Sequence, residues 1–265
     1  MRHILAYLCA FMLVTFEQRT CQAKKFATNL ERADGFGAQF QTIIYSVIYA
    51  EFHNMEYLYN PFKSIEHNYN NDPNFIEKKE WLINFINNFE IYKEDAAKLE
   101  WATVIHFFEQ NLDKCVTSYA LKKIKNIFRL NKNVNNYFNK EYLNIVIHIR
   151  RPNPNDNRID GTNTDDTLFL NIIDKLRITY ASANPLFHIQ SQGNPEKFSA
   201  FKSSDIILHL NESVEDAFTS MVLADVLVTS RSSFSYTAAI LSEGTVYYIP
   251  FWHPPLPGWI VVDAF

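Results

Sequence analysis

Apolar positions in the second half of the chain alternate between short runs and longer stretches at helical spacing. Residues 143–149, 186–190, 206–210, 226–229 and 246–249 are apolar or β-branched runs that read as strands. Residues 168–180, 214–223 and 234–241 repeat apolar side chains every three or four positions and read as helices. Strands alternating with helices predict a doubly wound parallel sheet covered on both faces. The first half is less regular. Residues 26–30 read as a strand, 31–37 as a loop, and 39–52 as a helix with Phe40, Ile43, Ile44, Val47 and Ile48 along one face. A second strand is read at 57–59, and helical spacing follows over 81–89, 99–108 and 116–130. The polar stretch Asn133-Val134-Asn135-Asn136 marks the boundary, giving an N-terminal α/β unit with a helical insert over 24–140 and a C-terminal sheet over 141–265.

In parallel sheets ligands bind beyond the carboxyl ends of the strands, so the residues just after each strand carry the candidate chemistry. Ser230-Arg231-Ser232-Ser233 and Ser235 lie between the strand at 226–229 and the next helix. The first turn of a helix has unpaired N–H groups and the positive end of the dipole, which suit a phosphate. The same serines also suit a plain N-cap. In His148-Ile149-Arg150-Arg151, alternation places Ile145, Ile147 and Ile149 on one face and Val146, His148 and Arg150 on the other. A guanidinium at a strand end can donate two parallel hydrogen bonds to a diphosphate and stays charged. The competing reading is a surface ion pair beside a core histidine.

Composition narrows the classes. The net charge of -4 and the absence of a basic run argue against a nucleic-acid partner. Arg2 and His3 precede an apolar run at residues 4–16, and Cys21-Gln22-Ala23 offers a small-x-small cleavage site. Residues 1–23 therefore read as a signal peptide or signal anchor. That leader implies the secretory pathway, the ER or Golgi lumen, with membrane contact only through the anchor; without it the chain would be cytoplasmic. Cleavage would remove Cys9 and Cys21 and leave Cys115 alone. Asn211-Glu212-Ser213 is a glycosylation sequon. No Asp-x-Asp or His-Glu-x-x-His occurs, so no metal site is expected.

Three stretches in order carry a resemblance. Gly35-Phe36-Gly37-Ala38-Gln39 precedes a helix, His148-Ile149-Arg150-Arg151 ends a strand, and Asp225-Val226-Leu227-Val228 leads to Ser232-Ser233-Phe234-Ser235. Together they resemble the GDP-fucose-dependent fucosyltransferase superfamily, which includes the α1,2, α1,6 and protein O-fucosyltransferases. The resemblance implies a GT-B-type α/β architecture of two facing Rossmann-like domains. It also implies inverting, metal-free transfer from GDP-fucose, with no cofactor, to a glycan or glycoprotein acceptor.

By the same resemblance Arg150 grips the diphosphate, with His148 and Arg151 beside it, and Ser232, Ser233, Phe234 and Ser235 form the phosphate-end turn. Ser191 follows the next strand, Asp216 stands near the family's guanine-binding aspartate, and Gly35 and Gly37 belong to the facing wall of the cleft. Asp160 ranks first as the general base, ahead of Asp156, Asp34 and Glu31. Pro152-Asn153-Pro154 and Ser191-Gln192 depart from the family pattern, so acceptor choice and activity itself are open. Alternatives are another nucleotide-sugar transferase of the same architecture, or a non-catalytic nucleotide-sugar- or glycan-binding relative.

Overall fold

The computed structural model describes residues 24–68, 70–93, 95–151 and 165–262. The leader at 1–23 and the candidate bases Asp156 and Asp160 lie outside the described residues. Among the described residues no helix is long and apolar enough to cross a membrane.

The first half opens with β1 (Lys25–Asn29), α1 (Phe36–Phe52), β2 (Met55–Leu58), α2 (Phe75–Ile83) and β3 (Ala97–Leu99). It continues through α3 (Trp101–Gln110), α4 (Leu112–Val116) and α5 (Tyr119–Arg129). Its sheet is parallel, in the order β2-β1-β3. Two boundaries differ from the sequence reading for local reasons. The stretch at 81–89 is helical only up to Ile83, because Asn84 takes a left-handed conformation at φ 59° and ends α2. The stretch at 116–130 is broken at Ser118, whose side chain accepts from the Leu121 N–H and starts α5.

The second half contains β4 (Leu143–His148), α6 (Asp166–Thr179), β5 (Pro185–Ser191), β6 (Ile206–Leu210) and α7 (Val214–Leu223). Then come β7 (Val226–Val228), α8 (Ser233–Leu241), β8 (Thr245–Tyr248) and β9 (Ile260–Val261). All six strands are parallel, in the order β6-β5-β4-β7-β8-β9. The chain therefore winds outward from β4 to β6 and returns to lay β7 beside β4, which is the doubly wound 3-2-1-4-5-6 order. The strand order reverses between β4 and β7, and the carboxyl ends at such a switch point are where sheets of this kind bind ligands.

Alternation along the strands divides the core in two. Ile145, Ile147 and Ile149 pack with Phe169, Ile172, Ile173 and Leu176 of α6 on one face. Val146 and Leu227 point to the other, where α7 and α8 lie. That second face is not closed by its own helices alone, because its apolar cluster runs without a break into α1, α2, α3 and α5 of the first half. Phe218 of α7 is fully buried at the junction and meets Phe36 edge-on at 5.2 Å, Phe128 at 5.6 Å and Phe234 at 5.3 Å. Burying a phenylalanine contributes roughly 1.5–3 kcal/mol, so this cluster is a major part of what joins the halves. Polar ties add to it: Lys125 Nζ donates to the Ser242 carbonyl at 2.8 Å, and the buried Lys79 ammonium pairs with Glu215 at 2.7 Å.

Gly37 brings the backbones of the two halves close together. It lies inside the first turn of α1, not in a loop before the helix, and Gly35 is the N-cap. A Cβ on Gly37 would stand 2.6 Å from both the Cα and the N of Phe234 and 2.9 Å from the Ser233 carbonyl carbon. The Gly37 carbonyl accepts from Thr237 Oγ1 at 2.9 Å. Only glycine allows two helical first turns to touch backbone to backbone here. Gly37→Ala is therefore expected to destabilise the fold by about 1–3 kcal/mol, the usual cost of overpacking, read as a lowered midpoint in urea. A midpoint equal to the parent's would show that the two helices are not held at this separation.

Candidate functional site

Beyond β4 the strand alternation persists into the loop. The Ile149 N–H donates to the Gln190 carbonyl at 3.0 Å, and Ser191 Oγ donates to the Ile149 carbonyl at 2.6 Å, so the backbone leading to Arg150 is braced from β5. Arg150 leaves on the His148 side and Arg151 on the opposite side. The Arg150 Nη1 donates to Ser232 Oγ at 3.3 Å. Arg151 pairs with Asp166 in the first turn of α6 and lies over the Phe198 ring at 5.3 Å. The two arginines read together from the sequence thus part company: Arg150 reaches the serine turn after β7, while Arg151 ties the end of β4 to α6.

The serine turn after β7 is built as a cap with an inner brace. Ser232 is the N-cap of α8, its Oγ accepting from the Phe234 N–H at 3.3 Å, and its carbonyl accepts from the Tyr236 N–H at 3.0 Å. Ser235 is fully buried; its Oγ accepts from the Ser230 N–H at 3.1 Å and faces the Ser230 and Ser232 carbonyls at 3.4 Å. Ser235 therefore shapes the turn from inside and is not presented on its surface, which corrects its grouping with the phosphate-facing hydroxyls. Ser233, the first residue of α8, is half-buried.

His148 is locked under this turn. Its Nδ1 lies 2.8 Å from Ser230 Oγ, and its ring stands edge-on to Phe234 at 5.7 Å. Burial, with the Arg150 charge adding to it, pushes the His148 imidazole down to about 3, so it is neutral at physiological pH. Ser230 is the partner that the sequence reading left unassigned. Its identity follows from the β4–β7 register, which sets Ile147 beside Val228 and so brings His148 to the end of β7.

The glycine segment lies on the same side of the molecule as Arg150. Through Gly37 it touches Ser233 and Phe234 directly, so it is continuous with the serine turn and is not an opposite wall across an open cleft. A side chain at Gly35 would stand 3.1 Å from the His67 ring. The N-terminal turns of α1 and α8 thus meet near the place where Arg150 arrives, so one cationic side chain and two positive helix ends converge there.

Of the remaining candidates, Asp216 lies in the first turn of α7, beyond β6 and two strands from Arg150. It is exposed and accepts from Ser213 Oγ at 2.7 Å, while its N–H donates back at 3.0 Å, a capping arrangement. Asp34 is paired with Arg32, whose Nε donates to Oδ1 at 3.0 Å, and that guanidinium also lies over Trp101 at 5.1 Å. Glu31 pairs with Lys63, and the hydrogen bond from that ammonium holds its carboxyl below the usual range. Neither carboxylate stands unpaired for proton abstraction. Asn211 of the sequon is clasped to Gly193, accepting from its N–H and donating to its carbonyl, both at 2.9 Å. His253 and Trp259 pack on Tyr236, whereas Trp252 is largely exposed. Among the described residues no group of three or more His, Cys, Asp or Glu is placed to hold a metal ion.

No protein-family model matches the chain, and no curated protein matches it. Among solved structures it is similar to fucosyltransferase NodZ from Bradyrhizobium, at 11% identity and a TM-score of 0.41 over 83% of this chain and 94% of that one. It is similar to a mutant of Arabidopsis thaliana FUT1 in complex with GDP, at 12% identity and a TM-score of 0.46 over 89% of this chain and 72% of that one. It is also similar to E. coli heptosyltransferase WaaC with ADP-2-deoxy-2-fluoro heptose, at 11% identity and a TM-score of 0.44 over 90% and 92% of the two chains. These are distant similarities in chain course, and what this chain can hold is read from its own side chains.

Proposed function

We propose that the chain is a glycosyltransferase that takes its sugar from a nucleotide donor, GDP-fucose by the motif resemblance, and passes it to a hydroxyl of a glycan or glycoprotein. The observation that supports this reading is the meeting of Arg150 with the capped first turn of α8 at the β4/β7 switch point. A nucleoside diphosphate seated there would meet a guanidinium that cannot lose its charge and backbone N–H groups that have no helical acceptor.

The chemistry follows from the charge. The bond between the anomeric carbon and the β-phosphate oxygen breaks, its electron pair leaves with the nucleoside diphosphate, and negative charge grows on that oxygen. Arg150 and the α8 N-terminus stabilise it from fixed positions, so little reorganisation is needed as the charge develops. The acceptor oxygen attacks from the opposite face of the sugar and inverts the anomeric centre. Its proton goes to a carboxylate, for which Asp160 is our first candidate. The carboxyl edge of the three-stranded sheet is the acceptor side in this proposal; there Asn29, Arg32, Gln39 and Asn60 stand beside Leu30, Ile43 and Phe62. Ser191, His148 and Ser235 act as supports that hold Arg150 and the serine turn in place.

Since fixed cationic groups take the part that a divalent ion would otherwise play, transfer is expected to survive EDTA; a strict requirement for manganese or magnesium would overturn the mechanism. The donor is tested by thermal shift with GDP, UDP, CMP and ADP, because a ligand that binds only the folded state stabilises it by about 2.7 kcal/mol at a hundred times its Kd. Stabilisation by GDP over the others supports a GDP-sugar donor. Preference for ADP or UDP would keep the transferase and replace the sugar nucleotide. Absence of any response would remove the nucleotide reading, and hydrolysis of the donor in solution separates an active enzyme from a binding relative.

A further inference from the structure

On the α7 face of the second sheet, a chain of side chains runs from β4 to the edge strand, and its hydrogen bonds can be counted. The Asn144 Nδ2 faces three acceptors: the Asn139 carbonyl at 3.1 Å, the Tyr142 carbonyl at 3.0 Å and Asp225 Oδ2 at 3.4 Å. The amide orientation is therefore fixed, and its Oδ1 is an acceptor toward His188 Nε2 at 3.2 Å. His188 must carry its proton on Nε2, which leaves Nδ1 as an acceptor. His209 Nε2, at 3.0 Å from that Nδ1, must then be the donor. At the far end, Gln190 Nε2 donates to Glu212 Oε2 at 3.1 Å and to Ser220 Oγ at 3.0 Å; that hydroxyl faces the Ala217 carbonyl at 3.0 Å. The Gln190 amide is fixed as well. This leaves His209 Nδ1 facing Glu212 Oε1 at 2.7 Å.

With His209 neutral and Glu212 ionised, those last two atoms would both be acceptors, at a distance that only a shared proton permits. We propose that the Asn144–His188–His209–Glu212 chain holds one extra proton between His209 and Glu212, and that this proton fixes the β6–α7 turn. The surroundings fit a proton at that end. Burial, and after it the neighbouring His209, pushes His188 down to about 4, so His188 does not take it. From other elements, the Tyr137 hydroxyl is within electrostatic reach of Glu212 and lies with Asp216 and Thr219, while Asp216 is itself bonded to Ser213. Among the described residues no further strand flanks β6, which is the edge of the sheet.

The turn so held consists of Asn211, clasped to Gly193, Glu212, and Ser213, the N-cap of α7. Loss of the proton sets the Glu212 carboxylate against a bare imidazole nitrogen and releases the turn. Release of the shared proton withdraws the contact that holds the turn, so this region is expected to be looser at high pH than at low pH.

Glu212→Gln separates this from simple packing. The amide in that variant donates to His209 Nδ1 and accepts from Gln190, so the chain is complete with His209 neutral and needs no extra proton. Two measurements on the ligand-free full chain test the proposal. Imidazole 15N spectra at about pH 7 are expected to show His188 neutral with its proton on Nε2, and both His209 nitrogens protonated or sharing a proton with Glu212. Amide protection factors over residues 211–217 are expected to fall about tenfold or more between about pH 6 and pH 9 in the parent, and to stay level in Glu212→Gln. A neutral His209 with no shared proton, or a Glu212→Gln profile that follows the parent's, would overturn it. Should Glu212→Gln fail to fold, the parent spectra decide alone.

Discussion

Ser233→Asp is expected to melt with the parent and to bind GDP about a thousandfold more weakly. Ser233 is the first residue of α8 and half-buried, and the cap is made by Ser232, so the substitution leaves the hydrogen bonds of the turn intact. A carboxylate at a helix start also suits the dipole, by about 0.3–1 kcal/mol. A diphosphate at the β4/β7 switch point would meet that carboxylate as a like charge. At an effective dielectric of about 20, two unit charges ~4 Å apart repel by roughly 4 kcal/mol, which is about a thousandfold in affinity. Ser233→Ala is the control, with both melting temperature and GDP affinity close to the parent's. A folded Ser233→Asp protein that binds GDP as the parent does would reduce the serine turn to a helix cap.

Arg150→Ala is expected to weaken GDP by about 2 kcal/mol or more and to take transfer below detection, because a desolvated phosphate loses a charged bidentate partner. Stability should change less, since Ser232 keeps the Phe234 N–H and His148 keeps Ser230. Arg150→Lys should recover only part of the affinity, because an ammonium cannot present two parallel donors. Arg151→Ala offers a contrast within one dipeptide: it breaks the pair with Asp166 on the other face of the sheet and so acts through α6. Equal losses of GDP affinity from both substitutions would contradict the division of roles between the arginines.

Only the Arg150 half of that division was legible in the sequence, where strand alternation puts Arg150 on the His148 side; Arg151 was grouped with it, and its pairing with Asp166 on the other face appears only in the fold. The doubly wound sheet was legible from the same alternation, in runs such as Ile145 to Ile149 that show their period within a few residues. Ser235 shows where this stops. A run of hydroxyls looks uniform in a sequence, and only the closure of the turn on the Ser230 N–H decides which one is inside. Gly37 shows it at longer range. Its lack of a side chain serves a backbone contact with Phe234 and a hydrogen bond with Thr237, 200 residues away in the chain. No local pattern encodes such a pairing, so the glycine read as part of a loop.

β3 and β9, with three and two residues, were missed because so few positions cannot display a period. The histidine chain was missed because Asn144, His188, His209 and Glu212 come from separate strands and turns, and their order of donors and acceptors exists only in the fold. Asp156 and Asp160 stay expectations from sequence, and their roles are decided by the transfer activity of the corresponding Asn variants.

The most direct test of the central claim is a crystal structure of the chain soaked with GDP. The diphosphate is expected at the carboxyl ends of β4 and β7, within hydrogen-bonding distance of the Arg150 guanidinium and the first N–H groups of α8. Density for GDP at any other place, or none at a concentration that saturates binding in solution, would contradict it.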